Sequence, residues 1–109
     1  MRAARGRQMI IREWRGRAER SKAEAYPSHF LSHVAPGLKQ VEGFLGAHLS
    51  QRTLNDEVEF VVFTRWTSME AIQAFARADV GKAVVEPGAV AALRSYDDRV
   101  QHYEVIAEL

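Results

Sequence analysis

The chain has 109 residues, enough for one compact domain that buries roughly 65% of its extended-chain surface and too few for two. Hydrophobic residues at 47% and charged residues at 27% are globular proportions, and no apolar run approaches the roughly 20 residues that span a bilayer, which excludes a membrane span and wholesale disorder. The absence of cysteine excludes disulfides, thiolate nucleophiles and Cys-built metal sites, so His and carboxylates are the only side chains left to hold a metal.

The basic residues crowd the start of the chain. Arg2, Arg5, Arg7, Arg12, Arg15, Arg17, Arg20 and Lys22 face only Glu13 and Glu19, while the remainder is acidic and the whole nets +1. This footprint lacks aromatic interleaving and any nucleic-acid motif, so no nucleic-acid partner is expected. Residues 1–8 read as a solvated basic arm and 9–109 as the single domain. The arginines also interrupt any secretory apolar region, and the expected location is cytoplasmic.

In chain order, Met9 to Arg15 has the β-branched and aromatic content of a strand, with Gly16 as its expected end. Ser21 and Glu24 have the spacing of a capping box, predicting a helix whose buried stripe is Tyr26, Phe30, Val34, Leu38 and Val41. Pro27 is expected to kink that helix early, and Pro36-Gly37 to break or bend its far end. Phe44–Thr53 and Val58–Trp66 read as a hairpin, followed by a second helix from the capping spacing of Thr67 and Glu70, with Ile72, Phe75 and Ala76 facing inward. Asp79 and Pro87 predict two shorter helices within 80–94, and Arg99–Ile106 alternates as a closing strand.

This order is β-α-β-β-α-β, the ferredoxin-like α+β arrangement, with both helices on one face of an antiparallel sheet. Phe60-Val61-Val62-Phe63 is apolar at successive positions, so its strand must bury both faces. Phe60 and Val62 are expected under the helices, and Val61 and Phe63 against the bare face of a second subunit, which predicts a homodimer.

Three segments resemble the antibiotic biosynthesis monooxygenase family of dimeric α+β barrels: Val41-Glu42-Gly43-Phe44-Leu45-Gly46-Ala47, the stretch from Val58 through Trp66-Thr67-Ser68-Met69-Glu70-Ala71-Ile72, and His102-Tyr103-Glu104-Val105. The likeness covers about residues 9–106, and the junction from strand through Trp66 and Ser68 to Ala71 is its most specific part. It implies cofactor-free oxygenation of a small aromatic or polyketide-like molecule in an apolar pocket of each subunit. Of the residues that work in quinone-forming members, Trp66 matches the Trp, but Val62, Ile72 and Glu86 stand where an Asn, a Tyr and an Arg are found. In haem-degrading members the corresponding positions are Glu13, Phe75 and Val85, so no His falls at the iron ligand and no haem is expected.

His29 and His33 lie i,i+4 on one helix face beside the apolar stripe, a spacing that suits metal ligands, pocket-lining imidazoles or plain helix-edge histidines. No third ligand is readable near them, and no metal or other cofactor is expected. His33 is taken as the base and Trp66 as a flat platform, with a core role as the alternative for Trp66. Tyr26, His29, Val62, Ile72, Phe75 and His102 are the expected substrate contacts. Trp66, His33 and Phe75 should converge on an enclosed volume of about 300 Å³ or more. Glu59 and Arg65 point to the dimer-facing side, where Arg12, Glu13, Arg52 and Glu104 are candidate ion-pair partners. The rival reading is a non-catalytic small-molecule-binding or stress-response domain that uses the same pocket without turnover.

Overall fold

The computed structural model describes residues 8–109. The chain forms β1 (Ile10–Glu19), a 3-10 turn (Arg20–Lys22), α1 (Ala25–His29), a π-helical turn (Phe30–Val34), α2 (Ala35–Leu38), β2 (Phe44–Leu54), β3 (Glu57–Trp66), α3 (Met69–Ala76), α4 (Pro87–Ala92), β4 (Ser95–Tyr96) and β5 (Gln101–Glu104). The sheet order is β2-β3-β1-β4, with β5 also on β1, and every pairing is antiparallel. This is the ferredoxin-like α+β arrangement expected from the alternation of elements. The expected basic arm, residues 1–8, lies outside the described residues apart from Gln8, whose side-chain amide donates to Glu104 Oε2 at 3.5 Å.

The first strand does not stop at Gly16. It runs on to Glu19, and Gly16 is buried because a Cβ there would lie 2.9 Å from both Leu93 Cδ1 and a ring carbon of Trp14. Glycine makes room for an indole rather than ending a strand. The helix begins at Ala25, not at Ser21, and its N-cap makes no side-chain hydrogen bond. That placement puts Pro27 in the first turn, where a missing N–H is harmless. Pro36 does not break the far end: helical residues continue to Leu38, and the π turn immediately before Ala35 absorbs the bond that Pro36 fails to make to the turn behind it.

Further along, Ser68 rather than Thr67 caps α3, accepting a hydrogen bond from the Ala71 amide at 3.1 Å. Asp79 starts no helix. It accepts from the Gly81 amide at 3.1 Å and pairs with Arg99 at 2.8 Å, so only the Pro87 helix forms in that region. The closing strand is split into β4 and β5, because Lys82 bridges to Arg99 and Ala83 donates to the Asp98 carbonyl at 2.8 Å, so that 98–99 pair with the 82–83 segment instead of β1.

Strand parity divides the sheet. Ile10, Arg12, Trp14, Gly16 and Ala18 of β1 stand beside Trp66, Thr64, Val62, Phe60 and Val58 of β3 under the helices, where Phe60 and Trp66 are fully buried and Val62 nearly so. Val61 and Phe63 lie on the opposite, helix-free face and stay half-buried. That face also carries the ion-pair cluster. Glu59 contacts Arg52 at 2.9 Å and Arg15 and Arg17 at 3.4 Å, and Arg15 reaches Glu13 at 2.7 Å. Arg52 and Glu13 thus take the expected places in the cluster. Arg12 does not, since its parity turns it to the covered face.

Candidate functional site

A cavity of about 60 Å³ lies between the covered face of the sheet and the helices. β1 contributes Arg12 and Trp14 to it, and β3 contributes Val62 and Thr64. The helical rod supplies Tyr26, His29 and Phe30, α3 supplies Phe75, and the segment leading into α4 supplies Val84, Val85 and Glu86. Tyr26 is the hub of the aromatic wall, with ring centroids 5.8 Å from Trp14, 6.3 Å from Phe30 and 5.3 Å from Phe60. Burial and the nearby Glu86 charge push the Tyr26 phenol up, so it remains a neutral phenol at neutral pH. The Trp14 indole N–H donates to the Asp97 carbonyl at 2.8 Å, which fixes the ring that faces the cavity.

Two histidines stand at this site in different ways. His29 Nε2 is buried without a hydrogen-bond partner among the described residues, 3.6 Å from Glu86 Oε1. The other side of its ring is held by α4, where a Cβ on Gly88 would fall 2.5 Å from His29 Nδ1. His102 pairs with Arg12 across β1 and β5 and accepts a hydrogen bond from Arg12 Nη1 at 3.0 Å through Nε2. A guanidinium only donates, so the His102 proton sits on Nδ1. Burial and the Arg12 charge push the His102 imidazole below its ordinary value, keeping it neutral at neutral pH.

The family model for antibiotic biosynthesis monooxygenases matches residues 5–87, well over half of the chain. The chain belongs to the antibiotic biosynthesis monooxygenase family. Among solved structures of similar fold, a candidate antibiotic biosynthesis monooxygenase from Bacillus cereus is 17% identical at a TM-score of 0.67, covering 94% of this chain and 97% of its own. A heme-degrading protein from Mycobacterium tuberculosis is 22% identical at 0.56, with coverage of 94% and 97%. A cofactor-independent oxygenase from Streptomyces nogalater is 16% identical at 0.54, with coverage of 94% and 95%. At these identities the likeness is one of fold. No curated protein sequence matches the chain.

Against the site expected of a monooxygenase of this family, Tyr26, His29, Val62 and Phe75 come together on the cavity. His102 reaches it only through Arg12. Ile72 is fully buried and outside the cavity wall. Trp66 and His33 do not converge with Phe75 as expected. Trp66 is fully buried, donating to Thr64 Oγ1 at 2.8 Å and packing 5.6 Å from the Phe75 ring, so the core reading of this residue describes its surroundings. His33 is exposed, one helical turn beyond His29, because the turn that buries Phe30 carries position 33 to the solvent side. The enclosed volume is also well short of 300 Å³.

Sequence reasoning missed Arg12, Trp14 and Glu86 as wall residues. The signal was present in β1: Ile10, Arg12 and Trp14 alternate, and a core-facing Trp14 carries Arg12 with it. Among the described residues no three His, Asp or Glu side chains gather to hold a metal, and the rings of His29 and His33 stand 5.4 Å apart without a third ligand. No helix of the described residues is long and apolar enough to cross a membrane.

Proposed function

We propose that this protein is a cofactor-free monooxygenase acting on a small aromatic molecule bound in the cavity between sheet and helices. The single observation that carries the reading is the buried Nε2 of His29, which has no hydrogen-bond partner among the described residues and stands 3.6 Å from Glu86 Oε1, on a residue lining a cavity built from Trp14, Tyr26, Phe30 and Phe75. A buried imidazole nitrogen without a hydrogen-bond partner is open to the hydroxyl that a ligand brings. Family membership and the fold of the Streptomyces nogalater oxygenase support the same reaction class.

The reaction needs an electron-rich phenol. His29 takes the phenolic proton, and the phenolate passes one electron to dioxygen. Superoxide and the ring radical then combine at a ring carbon that carries hydrogen. His29 returns its proton to the distal oxygen, giving a hydroperoxide. Loss of that carbon's remaining proton and cleavage of the O–O bond release water and leave a carbonyl. Phenol and dioxygen thus become quinone and water, and the aromatic walls exclude bulk water meanwhile. Tyr26, kept protonated, is a donor to the developing oxyanion.

At about 60 Å³ the cavity is smaller than the roughly 150 Å³ that accepts benzene, so even a single ring requires its wall to give, and a polycyclic polyketide would require far more. The wall that yields is the 84–86 segment, where Val84 is half exposed. Homodimerisation through the helix-free face of the sheet belongs to the same proposal, covering Val61 and Phe63.

Oxygen uptake with resorcinol, corrected for autoxidation, tests the assignment. His29→Ala should lower the rate at least tenfold, about 1.4 kcal/mol of barrier, while His33→Ala stays within twofold. Equal losses in the two variants would contradict His29 as the base. Binding without uptake in the wild type would favour the non-catalytic binding domain, a reading that the mismatches at Val62, Ile72 and Glu86 keep in play.

A further inference from the structure

Arg12 is the one buried cation at the cavity, and its surroundings are unusual. It is 5% exposed and has no carboxylate within ion-pair distance among the described residues. Its partners are all neutral: Nη1 donates to the Val80 carbonyl at 2.8 Å and to His102 Nε2 at 3.0 Å, and Nη2 donates to the Lys82 carbonyl at 3.0 Å. The guanidinium carbon also lies 5.7 Å from the centre of the Phe75 ring. These contacts orient the group without neutralising it. Of its five N–H donors, the one on Nε and one of the two on Nη2 have no acceptor among the described residues, and Nε and Nη2 together make one edge of the guanidinium fork.

A buried charge without a counter-ion is costly unless a ligand completes it. The neighbouring acids do not do so: Glu13 and Glu59 are on the opposite face of the sheet with Arg15, Arg17 and Arg52, and Glu86 stands beside His29. We infer that Arg12 makes the cavity a site for an aromatic carboxylate, the two carboxylate oxygens accepting from Nε and Nη2 while the ring lies against Phe75 and Trp14. Two parallel N–H···O bonds from one planar fork match the two oxygens of a carboxylate and no neutral isostere equally well. The inference rests on the reading of the cavity as the substrate site, but not on oxygenation. His102 acts here as a positioning residue, since its neutral Nε2 holds Nη1 and so fixes which edge of the fork faces the ligand. Burial lowers the Arg12 guanidinium to about 10, which still leaves it charged at neutral pH.

The experiment is anaerobic titration at pH 7 of the full chain with benzoate and with its uncharged isostere benzamide, followed by quenching of tryptophan fluorescence. Benzoate should bind at least tenfold more tightly than benzamide. Arg12→Gln should bring the two affinities within twofold by weakening benzoate alone, and Arg12→Lys, with a cation but no fork, should keep part of the preference. His33→Ala, at an exposed residue outside the cavity wall, should leave the preference unchanged. Equal wild-type affinities, absence of binding by either compound, or an Arg12→Gln loss shared equally by both ligands would each overturn the inference. The wild-type ratio decides the matter even if Arg12→Gln fails to fold. Because dioxygen is excluded, a protein that binds benzoate selectively yet shows no oxygen uptake would refute the oxygenase reading and leave this one standing.

Discussion

The indole of Trp66 donates to Thr64 Oγ1 at 2.8 Å, two residues back on the same face of β3. Thr64 in turn faces the Arg12 carbonyl at 3.5 Å and lines the cavity, so Trp66 braces the cavity floor from beneath without touching its contents. Phe44 packs against the Trp66 ring edge-on at 5.3 Å, closing the other side.

Trp66→Phe should therefore cost about 1 kcal/mol through the lost hydrogen bond, together with any loss from repacking a smaller ring. Urea unfolding measures it, and combining the variant with Thr64→Val should give less than the sum of the two single losses, since both remove the same bond. Strict additivity would mean that the bond contributes nothing.

Glu59 gives the fold a pH dependence. Burial alone would raise its carboxyl, but the hydrogen bond from Arg52 and the charges of Arg52, Arg15 and Arg17 outweigh it, and the net shift is downward from 4.5. A depressed carboxylate contributes stability that is present above its unfolded value and is lost as pH falls through its folded one. Thermal stability should accordingly decline below about pH 4.5, the unperturbed carboxyl value, and Glu59→Gln should flatten that decline. An unchanged acid slope in the variant would assign the dependence to other carboxylates.

The proposed homodimer predicts a species of twice 12.3 kDa in sedimentation at micromolar concentration. Phe63→Asp, on the helix-free face opposite His48 and Glu13, should shift it to the single-chain mass, because a charge there opposes burial against a second sheet. A wild type that sediments only as a monomer would contradict the proposal.

The absence of a His at the haem-ligand position carries its own expectation. Val85 is an aliphatic wall residue of the cavity, so haem titration should give no saturable Soret shift. A shift abolished by His29→Ala would instead reveal an iron ligand in the imidazole proposed as the base.

The sheet was legible because its signals are local: the continuous apolar run Phe60-Val61-Val62-Phe63 and the turn residues at Asn55-Asp56 specify β3 and its hairpin without knowledge of neighbours. The site was legible only in part. His29 and His33 look equivalent in the sequence, and the distinction between them comes from the π turn and from Gly88, which seats the His29 ring against α4. Arg12 was obscured by the charges around it: its alternation with Trp14 puts both on one face of β1, and the register against Thr64 and Val62 shows that this face is the covered one. Gly16 shows the same limit: a glycine that accommodates the Trp14 indole carries the same letter as one that ends a strand.

The most direct measurement of the central claim is the fate of labelled dioxygen. With resorcinol and 18O2, the wild-type protein should yield a hydroxyquinone carrying one 18O atom at the newly formed carbonyl, with the second label in water, and His29→Ala should lose at least nine-tenths of that product. Rapid extraction limits exchange of the carbonyl oxygen with solvent. A product labelled from water instead of dioxygen, or no protein-dependent product while the aromatic ligand still binds, would contradict the account.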